Sequence, residues 1–135
     1  MKILVVDDET VSRKKLQKIM SSFGECEAVE SGKAAIKSFE QAWASFTPSF
    51  DLITLDVSMP EMDGTEVLKR IRELEIKKEV PLKKRVKIFM VTSNSEKDTV
   101  ATSVEAGCDD YIVKPFDKEI LLAKLKRCGL VSTPS

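Results

Sequence analysis

The sequence contains no histidine. An imidazole base, an imidazole metal ligand and a phosphohistidine are therefore all excluded within this chain. Its three cysteines, Cys26, Cys108 and Cys128, are odd in number, far apart and form no C-x-x-C pair. That argues against a zinc site or a disulfide framework, and free thiols fit a reducing compartment. Acids and bases balance, 22 Asp and Glu against 22 Lys and Arg, so the chain lacks the basic excess of a dedicated nucleic-acid binder. No apolar run approaches the roughly 18 residues of a membrane span. The run Ile3-Leu4-Val5-Val6 is too short for the apolar core of a signal peptide. These absences set the expectation of a cytoplasmic protein with no membrane insertion and no direct nucleic-acid binding.

What is present fits one ordinary domain. The chain has 135 residues, 42% hydrophobic and 33% charged, enough to bury roughly two thirds of its unfolded surface. Short apolar runs alternate with longer amphipathic stretches. Strands are predicted at 3–6, 26–29, 52–55, 86–91 and 111–113 from their brevity and β-branched content. The first helical stretch, residues 10–22, places Val11, Leu16, Ile19, Met20 and Phe23 near one face. A second starts at Ser31 and carries Ala34, Ala35, Ile36, Phe39 and Trp43. Asp63-Gly64-Thr65-Glu66 has the form of a capping box, opening a third helix with Val67, Leu68, Ile71 and Leu74. A shorter helix is predicted over 95–106, ended by Gly107, and a last one from about Asp117 to Gly129.

Five strands and five helices in alternation predict an α/β fold of three layers, αβα, around a five-stranded parallel sheet. Right-handed crossovers leave few topologies, and the general rule for five-stranded sheets of this type favours the flavodoxin-like order 2-1-3-4-5. One domain is expected over 1–129, followed by a short tail at 130–135. Two connections are long. Residues 44–50 contain Pro48, and residues 77–85 contain Pro81 with Lys77, Lys78, Lys83, Lys84 and Arg85. The second precedes strand four, so it is expected at the sheet edge away from any strand-end site, solvated or docking an acidic partner.

In a parallel sheet all strands end at one edge, where ligands bind. Strand one ends in Asp7-Asp8-Glu9, strand three in Asp56, strand four in Thr92-Ser93 and strand five in Lys114-Pro115. Singly, each residue has a plainer reading. An Asp at a strand end caps the next helix, Thr and Ser make turns, a lysine is solvated and Tyr111 is a half-buried strand aromatic. Their joint placement is what those readings do not explain. Crowded carboxylates repel, and a divalent cation relieves the repulsion. Hard oxygens without His or Cys favour Mg²⁺, with Mn²⁺ as the alternative. With Lys114 and the Thr92 hydroxyl added, this set of charges fits phosphoryl transfer.

The blocks Ile3-Leu4-Val5-Val6-Asp7-Asp8-Glu9, Asp51-Leu52-Ile53-Thr54-Leu55-Asp56-Val57-Ser58-Met59-Pro60-Glu61-Met62-Asp63-Gly64, Val91-Thr92-Ser93, Ala106-Gly107-Cys108-Asp109-Asp110-Tyr111 and Val113-Lys114-Pro115-Phe116 together resemble the receiver domain of two-component response regulators, in its chemotaxis-type single-domain form. The resemblance covers roughly residues 2–128. It implies that Asp56 is the phosphoacceptor, that Asp8 ligates Mg²⁺ directly and Asp7 through water, and that the Ser58 backbone carbonyl completes the protein ligands. It further implies that Lys114 contacts the phosphoryl group, that Thr92 is the switch hydroxyl and Tyr111 the switch aromatic, and that the Lys114-Pro115 bond is cis. Gly64 would fill a tight backbone position. Ser58 and Asn94 would flank the path of an attacking water and tune dephosphorylation.

The resemblance implies a module that catalyses its own phosphorylation and dephosphorylation rather than a conventional enzyme. A histidine kinase or His-phosphotransfer protein would supply the group. A downstream protein would read a change in the face made by the 95–106 helix, strand five and the last helix. Two other settings are weighed. The chain fits equally a receiver cut from a larger hybrid kinase or multidomain regulator. A phosphorylation-independent interaction module is disfavoured, because Asp8, Asp56, Thr92 and Lys114 are all present. A haloacid-dehalogenase-like phosphatase would carry Asp-x-Asp after strand one, whereas here Asp7 and Asp8 are adjacent.

Overall fold

The computed structural model describes residues 1–44, 49–93 and 107–131. In chain order they form β1 (Lys2–Val6), α1 (Thr10–Met20), β2 (Glu25–Val29), α2 (Gly32–Ala44), β3 (Leu52–Asp56), α3 (Gly64–Lys77), a short 3-10 turn (Leu82–Lys84), β4 (Lys87–Thr92), β5 (Asp110–Val113) and a last helix, α4 (Lys118–Arg127). The helix expected over 95–106 lies outside the described residues. All strand pairs are parallel, in the order β2-β1-β3-β4-β5. The fold is therefore the expected flavodoxin-like α/β arrangement.

Period-two alternation sorts each strand between two cores. Leu4, Val6, Ile53, Leu55, Ile88 and Met90 pack with Phe39 of α2 and with Val67, Leu68 and Ile71 of α3. Ile3, Val5, Leu52, Phe89, Val91 and Ile112 pack on the other face with Leu16 and Met20 of α1 and Leu121 and Leu125 of α4. The central strands β1, β3 and β4 are buried on both faces, which explains their near-continuous apolar runs.

Local chemistry sets the helix starts. Asp63 Oδ1 accepts from the Glu66 N–H, and Asp117 Oδ1 accepts from the Ile120 N–H; each acid caps its helix. Ser31 Oγ does the same for the Ala34 N–H. One expectation fails. Val11 reads as part of the apolar face of α1, yet it is 74% exposed. At about 100° per residue it lies roughly 140° from Leu16 and 180° from Met20, so those two cannot share a face with it.

The C-terminal edge of the sheet is tied together past the strand ends. The Asp7 N–H donates to the Val29 carbonyl, the Val57 N–H to the Val91 carbonyl and the Lys114 N–H to the Thr92 carbonyl. These bonds prolong the parallel ladder by one step and fix the residues that follow β1, β3 and β5.

Candidate functional site

Strand parity decides which side chains meet at that edge. Asp7 continues the alternation of Ile3 and Val5, Asp56 that of Leu52 and Thr54, and Lys114 that of Ile112. All three therefore belong to the sheet face covered by α1 and α4. One carboxylate oxygen from each of Asp7, Asp8 and Asp56 lies within 4.8 Å of the other two. Lys114 Nζ stands 3.4 Å from Asp56 Oδ2 and 3.9 Å from Asp7 Oδ2. Asp7 and Asp56 are buried, whereas Asp8 is exposed at the mouth.

The two buried carboxylates are held by the backbone. The Glu9 N–H donates to Asp7 Oδ1 at 2.9 Å, and the Ser58 N–H donates to Asp56 Oδ1 at 3.1 Å. Arg13, in the first turn of α1, donates from Nη1 to the Asp7 carbonyl at 3.0 Å. Arg13 is not among the residues that the sequence pattern singles out. Its position one helical turn past the Asp7-Asp8 pair is the signal that could have marked it. Behind the site, a Cβ on Gly64 would strike the Asp56 carbonyl. The chain can pass there only as glycine, and the Gly64 N–H bonds the Val57 carbonyl at 3.0 Å.

The electrostatics follow from this crowding. Burial first, then the charge of the Asp7 carboxylate and a hydrogen bond shared with it, push the Asp56 carboxyl up to about 7, and Lys114 and the Ser58 N–H offset this only in part. A single ammonium does not neutralise three carboxylates. The donor set is all oxygen, compact and open to solvent on the Asp8 side. It fits a hard divalent cation such as Mg²⁺.

The other expected residues are placed as follows. Thr92 is buried at the end of β4, one step beyond Val91, the register partner of Asp56, and its Oγ1 donates to the Ser93 carbonyl at 3.2 Å. Tyr111 lies on β5 opposite Met90, 39% exposed, under the Lys124 ammonium. Ser58 is exposed beside Asp56. The Lys114-Pro115 peptide is cis, as expected. Asn94 lies outside the described residues.

The family model for the response regulator receiver domain matches residues 3–126. The chain is 33% identical over 128 residues to chemotaxis protein CheY1 of Helicobacter pylori, covering 93% of this chain and 94% of that one. It is 37% identical over 129 residues to hybrid signal transduction histidine kinase L of Dictyostelium discoideum, covering 95% of this chain but spanning only 7% of that kinase. The crystal structure of a CheY-like response regulator receiver domain protein from Methanospirillum hungatei superposes with a TM-score of 0.76 at 28% identity, covering 94% of this chain and 91% of that one.

Proposed function

The chain belongs to the response regulator receiver domain family, and from that premise we propose that it accepts a phosphoryl group on Asp56 in a Mg²⁺-dependent reaction. The observation that carries this reading is the meeting of the Asp7, Asp8 and Asp56 carboxylates, with Lys114 Nζ 3.4 Å from Asp56. The chain has no histidine, so a histidine kinase or His-phosphotransfer protein is the donor. The reaction then belongs to the cytoplasm, where such donors present their phosphohistidine. The receiver is assigned to residues 1–129.

Asp8 and Asp56 would hold the cation directly, Asp7 through water and Ser58 through its backbone carbonyl. When bound, the metal supplies positive charge that lets the carboxylates ionise together and screens the phosphoryl oxygens. The Asp56 carboxylate attacks phosphorus in line, the phosphorus–nitrogen bond of the donor breaks, and its electron pair stays on the leaving imidazole. Lys114 moves its ammonium from the carboxylates to a phosphoryl oxygen. The product is an acyl phosphate, which water later hydrolyses at a rate that we propose Ser58 and Asn94 tune.

The readout is a biased two-state equilibrium. The Thr92 hydroxyl leaves the Ser93 carbonyl for the new phosphoryl group, and Tyr111 rotates into the space it vacates. The face containing β5 and α4 changes, and a downstream protein binds it. The 37% identity to a segment of a hybrid kinase favours a second setting for the same chemistry, a receiver inside a longer signalling protein.

Intact-mass measurement after treatment with acetyl phosphate, with and without Mg²⁺, tests the reading. One phosphoryl adduct is expected only with the metal and only when Asp56 is present. An adduct that persists unchanged in Asp56→Asn would overturn the assignment.

A further inference from the structure

A second surface lies at the opposite end of the sheet. A cleft of about 340 Å³ opens between the end of α3 and the start of β4, walled by Ile76 and Leu82 and rimmed by Arg85 and Lys87. Ile76 is 61% and Leu82 76% exposed. Lys77 and Lys78 follow Ile76 in the chain and Lys83 and Lys84 follow Leu82, all exposed and with no acidic partner among the described residues. From Lys87 to Thr92 the strand runs about 17 Å, so this cleft is remote from Asp56.

The segment that builds the cleft is folded firmly. The Val80 N–H returns to the Glu75 carbonyl at 2.9 Å, closing α3, and Glu79 adopts a positive φ of 57°. Arg85 Nε donates to the Val80 carbonyl at 3.1 Å. Beneath them the Glu75 carboxylate accepts from the Val86 N–H at 2.8 Å and from Arg72 Nη1 at 2.6 Å. Arg72 Nη2 in turn meets Asp109 at 2.9 Å. The acids of the floor are thus neutralised internally, by Arg72 and Lys87, whereas Lys77, Lys78, Lys83 and Lys84 have no acidic partner among the described residues. This frame leaves Leu82 facing outward at a solvation cost.

We infer that this cleft docks an acidic, extended peptide segment of a partner protein, with an apolar side chain seated between Ile76 and Leu82 and its carboxylates paired with Lys77, Lys78, Lys83, Lys84 and Arg85. The positive rim selects for acidic charge and speeds encounter. The two apolar walls supply the anchor that a polyphosphate backbone would not use. Because the site is far from Asp56, the segment binds whether or not the phosphoryl group is present and can hold the receiver near its signalling partner.

Fluorescence anisotropy with a short labelled peptide of Glu and Asp carrying two leucines tests this. Binding to the full chain is expected to weaken about tenfold or more in the Ile76→Ser, Leu82→Ser double variant and in the Lys83→Glu, Lys84→Glu double variant. It is expected to stay unchanged in Asp8→Asn, which separates this surface from the carboxylate site. All the altered positions are exposed, and circular dichroism confirms that each variant folds. Amide chemical-shift changes are expected to centre on residues 76–87. Equal binding of a leucine-free acidic peptide, of a single-stranded oligonucleotide or of phosphatidylserine vesicles would overturn the proposal, as would binding untouched by both double variants or no binding at all.

Discussion

Lys124 Nζ lies 5.0 Å from the centre of the Tyr111 ring and 3.0 Å from Asp110 Oδ1. One lysine in the middle of α4 thus pins both the first residue of β5 and the aromatic proposed to report the phosphorylated state. A cation over a partly exposed ring is worth about 0.5–1 kcal/mol. Lys124→Met keeps the stem and removes the charge, so Tyr111 should leave its outward position more readily. Phosphorylation by acetyl phosphate at limiting donor is then expected to rise about two- to fivefold. Tyr111 is the only tyrosine in the chain, so its ring resonances report the change without ambiguity. Unaltered ring signals together with an unaltered extent of phosphorylation would refute the link.

The raised Asp56 carboxyl makes stability depend on pH. Its value in the fold is about 7, against 3.8 as the ordinary value. The folded state therefore binds more protons than the unfolded state between roughly pH 4 and pH 7. The resulting contribution is fully present below pH 4 and is lost as pH rises through 7. Without divalent metal, Asp56→Asn should be more stable than the parent at pH 8, by about 1–3 kcal/mol, and the difference should vanish at pH 4. Urea unfolding at both values checks this. Adding Mg²⁺ at pH 8 should stabilise the parent and not the variant.

The sheet and most of the carboxylate site were legible because both obey short rules. Runs such as Ile3-Leu4-Val5-Val6 and the acids that follow them reveal a parallel strand and its functional end. Asp7, Asp56 and Lys114 then meet because parity and a shared edge leave them little choice. Three features were not legible. Val11 reads as apolar, but its angular position on α1 becomes decisive only once Leu16 and Met20 define the buried side. Arg13 serves the Asp7 carbonyl, and backbone acceptors carry no sequence signal. Glu75 sits in a helix that reads as charged and amphipathic, and its burial depends on Val86 and Arg72, which approach only in the fold. The order of β strands rested on the general rule for such sheets rather than on any particular residue.

Thr54 carries a hydroxyl that earns nothing from its surroundings. It is fully buried in β3, between Val5 of β1 and Phe89 of β4, and its Oγ1 has no hydrogen-bond partner among the described residues. A buried hydroxyl left unsatisfied costs about 1–3 kcal/mol. Valine has nearly the same shape and favours strands. Thr54→Val should therefore stabilise the fold by about 1–2 kcal/mol and leave the phosphorylation rate unchanged. A midpoint of urea unfolding that stays put or falls would show that the hydroxyl is satisfied in solution.

Glu75 presents the reverse case. Its carboxylate is 1% exposed, accepts from the Val86 N–H at 2.8 Å and pairs with Arg72 at 2.6 Å. Arg72 goes on to the Val86 carbonyl at 2.8 Å, the Gly107 carbonyl at 3.0 Å and Asp109 at 2.9 Å. Asp109 itself accepts from the Ile88 N–H at 2.8 Å. This chain of bonds joins the end of α3 to the entry of β4 and β5. Removing one member strands the others: Glu75→Ala leaves a buried amide and a guanidinium without their shared acceptor. It should cost about 3–4 kcal/mol. Glu75→Gln keeps an acceptor and loses only the charge, so it should cost less, about 1–2 kcal/mol. Hydrogen exchange locates the effect, with the Val86 and Ile88 amides expected to lose protection first. Equal costs for the two variants would mean that Glu75 acts by filling space rather than by accepting these bonds.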